Sequence, residues 1–346
     1  MVRSHYLSSS SGTSSSNTSG CGRLIEDFDT NLIVSTPDGE IDRSGRRKRT
    51  ILTIKLMPTL QDLHYAIRLK DAGKVEILTS GHTNININSS LRSCTALSVA
   101  VHEQSVEIVT ILLRAGADPN KLSRDWNDRL ETPVFSACRL GNSEIARILL
   151  ASGRADVNAT DFYNHTPLWI ATRERRLDLV NLLIEYGANL NCADTSAQCP
   201  LNLATKYLGR SAIAKTLIRH GCSLDLTDTD GYGALYWTLV NHQLDVFKLL
   251  VYAGAHINKR DWDYLTSKNR LSTHIREDKA FCEWLENVLR HPPSLLRSCI
   301  KVIRRTISKA CDGKSTISVI KSLPVSHTMA EVLMLTDIED NTTVDE

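Results

Sequence analysis

At 346 residues the chain is long enough for about two domains, and a 42% hydrophobic content is enough to build a core. Its 41 basic and 39 acidic residues leave a formal net charge of +2, so overall charge argues for neither a nucleic-acid partner nor a membrane surface. The 9 cysteines, from Cys21 to Cys311, form no CxxC pair, and an odd number cannot close wholly into internal disulfides, so a reducing compartment is expected.

The opening MVRSHYLSSSSG lacks the apolar core of a signal peptide. No stretch approaches the roughly 20 apolar residues that cross a bilayer, so the expectation is a soluble, cytoplasmic protein with no membrane partner. Residues 7–19 are almost all Ser, Thr, Gly and Asn, too poor in apolar surface to offset the entropy of ordering, and residues 1–50 are expected to be a disordered Ser-rich tail. The basic run Arg43 to Arg49 at its end reads as solvated charge beside a domain boundary, with a nuclear-localisation patch as the other reading.

From about residue 60 the sequence repeats at a spacing near 34 residues. Five segments share one frame, starting at Thr95, Thr132, Thr166, Pro200 and Ala234; the third reads TPLWIATRERRLDLVNLLIEYGANLN. Each residue type in the frame has a physical reason. Thr166 can cap a free amide, and Pro167 in the first turn sacrifices no hydrogen bond. Ala100, Ala137, Ala171 and Ala204 let neighbouring helices approach, while Leu179, Leu182 and Leu183 make one apolar face. Gly116, Gly153, Gly187, Gly221 and Gly254 fall where a helix ends in a left-handed residue. A weaker copy from Leu63, without the Thr-Pro start, is expected to cap the stack, because a terminal repeat must turn one face to water. Phe281, Trp284, Leu285 and Val288 share a helical face and suggest a partial closing repeat.

Pro292-Pro293 breaks that last helix and a different pattern follows. Leu295, Cys299 and Ile303 drift only about 40° per step on an α-helix and make one stripe, while Leu296, Ile300 and Ile307 make a second. A short helix with two apolar stripes buries one in its own domain and leaves the other for a partner, or else buries both in an intramolecular bundle.

The repeats resemble ankyrin repeats. Leu295-xxx-Cys299-xxx-Ile303 after Pro-Pro, with Leu323-Pro324 downstream, resembles the SOCS box, and the pairing resembles the ankyrin-repeat and SOCS-box family over about residues 60–336. The resemblance implies an all-α chain: an ankyrin-repeat solenoid of about six repeats plus a partial closing one in residues 51–291, a small three-helix SOCS box in 292–336, and an acidic tail in 337–346. It further implies a substrate-recognition adaptor of an elongin–cullin–RING ubiquitin ligase, with Leu295, Cys299 and Ile303 entering elongin C of the elongin B/elongin C pair. Ile320, Leu323 and Pro324 would contribute to the cullin contact. The family's Leu-Pro-x-Pro is here Leu323-Pro324-Val325-Ser326, and Val332 stands where an aromatic is common, so elongin binding is carried further than cullin binding. A ligase-independent ankyrin scaffold or inhibitor is the alternative.

No catalytic group, cofactor or metal is expected. Gly313-Lys314-Ser315 imitates the end of a P-loop, but Ser308 stands where its first glycine belongs and a helix precedes it. The histidines make no HExxH pair, and Cys94, Cys138 and Cys199 recur at core positions of the frame as inert thiols. A ligase adaptor needs no active site, since it works by raising effective concentration. The target-binding candidates are loop and helix-end residues: Arg124, Trp126 and Arg129 in a long loop, Phe162, Tyr163 and Tyr232 at tips, and Arg173 at a helix end. Trp169 and Trp237 are expected to pack within the helices.

Overall fold

The computed structural model of the chain describes residues 29–33, 51–55, 58–80, 84–124, 129–256, 275, 278–290 and 295–336. The chain divides into two compact units, 1–58 and 59–346. In the first, strands β1 (Asp29–Ile33) and β2 (Ile51–Lys55) pair antiparallel with Leu32 opposite Leu52. Both are runs of aliphatic and Thr residues suited to a strand. This pairing spans the boundary expected at residue 50, so Asp29–Ile33 is a correction to a wholly disordered tail. The basic run 43–49 lies outside the described residues.

In the second unit twelve helices follow as six hairpins. They are α1 (Leu60–Arg68) with α2 (Ala72–Thr79), α3 (Ala96–His102) with α4 (Val106–Arg114), and α5 (Pro133–Leu140) with α6 (Ser143–Ala151). Then come α7 (Pro167–Arg173) with α8 (Leu177–Glu185), α9 (Pro200–Lys206) with α10 (Ser211–Arg219), and α11 (Ala234–Val240) with α12 (Leu244–Ala253). First helices stack on first helices and second on second, which is why the alanines of the frame, Ala100, Ala137, Ala171 and Ala204, are each 0% exposed. The five frame glycines all take positive φ, and at Gly254 the value is +105°, where a side chain would be strained.

Helix starts follow the chemistry of the frame. The Thr95, Thr132 and Thr166 side chains accept from the amides three residues on, and Cys199 occupies the same place with a weaker sulfur acceptor, 3.5 Å from the Asn202 amide. The first hairpin begins at Thr59, not Leu63: Thr59 and Asp62 form a reciprocal capping box that substitutes for the Thr-Pro start. A side-chain ladder links successive repeats. Asn88, Asn120, Asn158 and Asn191 accept from the amides of Asp118, Asp156, Asn189 and Ser223 at 2.7–2.8 Å, which accounts for an Asn near the end of each repeat.

Helix α13 (Lys279–Arg290) closes the stack: Phe281 and Leu285 are buried against Phe247, Tyr236 and Val251, with Trp284 and Val288 half-buried beside them. Three more helices follow, α14 (Leu295–Ala310), α15 (Ile317–Ser322) and α16 (His327–Met334). Ile300, Ile307, Ile320 and Leu333 form their core. They seat on the stack through main-chain groups. The Leu190 amide donates to the Gly313 carbonyl at 2.8 Å, the Thr316 amide to the His220 carbonyl at 2.9 Å, and the Ser308 hydroxyl to the Gly221 carbonyl at 2.6 Å.

Candidate protein-interaction surfaces

The tip before α7 is built by Asp161, whose carboxylate accepts from the amides of Tyr163 and His165 and contacts the His165 ring at 2.8 Å. That turn holds Phe162 outward, 84% exposed, with Tyr163 beside it at 58%. His165 stacks on Trp169 at 3.8 Å, and the Arg173 guanidinium lies 5.4 Å from the same indole. Tyr163 and Arg173, distant in the frame, are thereby joined by a run of rings from loop tip to helix end. Trp169 is 6% exposed and packs as expected. A parallel run sits in the fifth frame: Tyr232 stacks on Tyr236 at 4.0 Å, and the Lys206 ammonium covers Trp237 at 4.5 Å while pairing with Asp228.

Arg124 and Arg129 are exposed at the hairpin formed by Ser123–Arg124 and Leu130–Glu131, and Trp126 lies outside the described residues. Arg139, another helix-end cation, is structural: its guanidinium grips Glu131, a carboxylate only 3% exposed, at 2.9 Å. The helix ends Arg173-Glu174 and Lys206-Tyr207 read as candidate contacts in the sequence, and Tyr207 is 46% exposed, but pattern reading passes over Leu208 beside it, 64% exposed. The motif KYLGR was the available signal, an aliphatic residue in a tight turn with nothing of its own to pack on.

On α14 the two stripes behave differently. Ile300 and Ile307 are buried, whereas Cys299 is exposed, Ile303 is 37% exposed and Val302 is 65% exposed. The Leu295 side chain lies outside the described part of that helix. Ile320 is 1% exposed in the three-helix core, Leu323 is half-buried against it and Pro324 is exposed, so of these three only the last two offer surface. Gly313 of the false P-loop makes the seam described above instead of cradling a phosphate.

Three of the thiols, Cys138, Cys199 and Cys222, are buried. Desolvation raises the pKa of Cys138, Cys199 and Cys222, while Cys94 is half-buried and donates to the Arg124 carbonyl. Among the described residues no group of three or more His, Cys, Asp and Glu side chains can hold a metal ion, and no helix is long and apolar enough to cross a membrane.

Residues 92–124 match the ankyrin repeat, and residues 122–194 and 190–261 match ankyrin repeats in three copies. Alpha-latrocrustotoxin-Lt1a of Latrodectus tredecimguttatus is 33% identical over 130 residues, 38% of this chain and 9% of the toxin. Inversin of Mus musculus is 29% identical over 183 residues, 52% of this chain and 17% of inversin. The chain thus spans less than a fifth of the length of these two relatives. The crystal structure of the ankyrin repeat domain of Bcl-3, described as a unique member of the IkappaB protein family, superposes with a TM-score of 0.52 at 26% identity. That match covers 56% of this chain and 86% of that one. The chain carries ankyrin repeats over residues 92–261, and its repeats stack as an α-helical ankyrin-type solenoid.

Proposed function

We propose that this chain is a two-ended adaptor that holds a target protein on its ankyrin stack and elongin B/elongin C on its last three helices, acting as the substrate receptor of an elongin–cullin–RING ubiquitin ligase. The observation that carries the ligase half is the divided helix Leu295–Ala310: one apolar stripe is buried in the three-helix core while Cys299 and Ile303 stay at the surface at the spacing of the SOCS-box motif. The target half draws on the exposed tip residues Phe162 and Tyr163 and the half-exposed Arg173 and Tyr232, with Arg124, Trp126 and Arg129 in the long loop. Leu323 and Pro324 are the surface left for a cullin, with Ile320 supporting them from the core.

Leu295→Ala with Cys299→Ala is the direct test, read by copurification of elongins and by melting. Truncating a buried Leu-sized contact costs about 1.5 to 3 kcal/mol, so loss of the interface weakens elongin binding by up to roughly a hundredfold. The stack should melt as before. The second reading, a ligase-independent scaffold or inhibitor, is the one the matched repeats support directly, and absence of elongins from the parent protein would leave it standing alone.

A further inference from the structure

The turns joining the first and second helices of the repeats line one edge of the stack, opposite the loop tips. Three arginines knit the middle of that edge together. Arg176 reaches back over Gly141, where a methyl would meet its guanidinium carbon at 2.7 Å, and Arg175 reaches forward over Gly209, where a methyl would meet Nη1 at 3.1 Å. Arg210 donates from Nε and Nη2 to the carbonyls of Thr172 and Arg173 at 3.0 and 2.7 Å. Carbonyls hold Arg210 while Arg175 and Arg176 lie over glycines, and no described carboxylate is salt-bridged to Arg175, Arg176 or Arg210. Arg173 is balanced by Glu174 at 2.8 Å, and Lys206 by Asp228. With Asp178 exposed in the first turn of α8, the edge keeps an excess of two positive charges, one of them the buried Arg210.

Two further features share this edge. The second helices start at Arg176 and Arg210, neither of which supplies a side-chain cap, so the positive ends of two helices add to the same field. Burial and then repulsion by Arg175 lower the pKa of Arg210, with Tyr207 and Glu174 pulling the other way. Beside the cations stand exposed Tyr207, Leu208 and, at the end of α11, Val240.

We infer that this edge, Arg173 to Arg176 with Tyr207 and Leu208, held in place by the buried Arg210, is the docking surface for an acidic segment of the target protein that also carries apolar side chains. The inference rests on the reading of the stack as the target-binding end. Charge complementarity selects the acidic residues and the exposed Leu208 selects their apolar neighbours. Single-stranded nucleic acid fits less well, because it needs open aromatic faces. Here the faces of Trp169, Trp237 and Tyr207 are already covered by Arg173, Lys206 and Arg210.

The test is fluorescence anisotropy on the full chain with a fluorescein-labelled peptide of repeated Asp-Glu-Leu-Glu blocks and, separately, an oligothymidine strand. Arg175→Asn with Arg176→Gln removes two exposed cations, and Asn tolerates the left-handed backbone at φ 59°. Arg114→Gln with Arg147→Gln removes the same charge from second helices elsewhere. Peptide affinity should fall at least about tenfold in the first pair, about 1.4 kcal/mol, and change by less than about twofold in the second. The inference is overturned if the peptide does not bind, if both pairs behave alike, or if the oligothymidine binds tighter and responds to the first pair. Melting curves confirm that each pair is folded, and the single variants Arg175→Asn and Arg176→Gln stand in should the double one melt early. Elongin copurification from the same preparations separates the two ideas. Peptide capture without elongins defeats the ligase reading alone, and elongins without peptide capture defeats the acidic-segment inference alone.

Discussion

Arg304 is a cation inside the molecule, 7% exposed, donating from one nitrogen to the Ile218 carbonyl at 2.8 Å and from another to the Leu333 carbonyl. Burial lowers its pKa to about 10, partly opposed by the nearby Cys222 thiol, so it stays charged at neutral pH. It thereby ties the end of a repeat helix to the end of the last helix, satisfying carbonyls that helix geometry leaves open. Arg304→Met keeps the volume and strands both acceptors, each worth about 1 to 3 kcal/mol when buried and unpaired. We expect a lower melting temperature and faster proteolysis between residues 311 and 336; an unchanged pattern would refute the tie. Its neighbour Arg305 is an exposed partner of Asp225, and the sequence KVIRRTI does not distinguish the two. The distinction comes from a helix end 86 positions away.

Histidine sets the acid limit at the same scale. His64 is buried in the first hairpin, where desolvation and then Arg68 hold its pKa down to about 4 against an ordinary 6.5. His220, against Ser315, is likewise lowered by burial. Both are neutral in the fold, while the unfolded chain takes up protons below about pH 6.5, so unfolding is favoured as pH falls through that value toward 4. Stability should be fullest above about pH 6.5 and decline between 6.5 and 5, a window in which ordinary carboxylates remain ionised. His64→Gln with His220→Gln should flatten that decline in melting curves. A parent protein whose melting temperature does not move across the window would contradict the assignment.

Among elements, helix α14 divides the work of its two stripes and helix α15 supplies the matching core residue. Ile320→Ala removes a side chain 1% exposed and should cost about 2 to 5 kcal/mol, loosening all three helices and with them every partner they hold. Leu323→Ala with Pro324→Ala touches the rim and should lose a cullin while keeping elongins. Quantitative pull-down of both partners tells these apart, and loss of elongins from the second variant would place Leu323 in the supporting core. The helices themselves were legible from spacing, since a capping Thr, the Pro directly after it and a closing Gly each leave a mark on one residue. Which stripe of α14 faces water was not legible. Both are apolar, and only the position of Leu333 and Ile320 across the bundle breaks the tie.

At the scale of the molecule the repeat period was legible because every hairpin meets only its neighbours and so repeats the same demands on sequence. The seam between the stack and the last three helices was hidden for the opposite reason. Much of it is made by carbonyls and amides of Leu190, His220, Gly221, Gly313 and Thr316, groups that every residue carries, joined by the side chains of Arg304, Ser308 and Ser315, with glycine at Gly221 and Gly313 because a Cβ would collide with Thr316 and Asn189. The strand pairing of 29–33 with 51–55 escaped notice because two short aliphatic runs far apart show no period.

That backbone seam also sets a mechanical property. Were the last three helices hung on a flexible tether, any protein held there would sweep a volume set by chain statistics, and its local concentration near the stack would fall as the tether lengthened. Bonded carbonyl to amide, the two ends instead behave as one jig. On the proposed assignments, a body gripped at Cys299 and Ile303 would stand at a set distance and angle from one gripped at the turn of Arg175 and Arg176. Reach is then a matter of steric aim, so that which surface groups of a captured protein face the other partner is decided by the chain's own geometry before either has arrived.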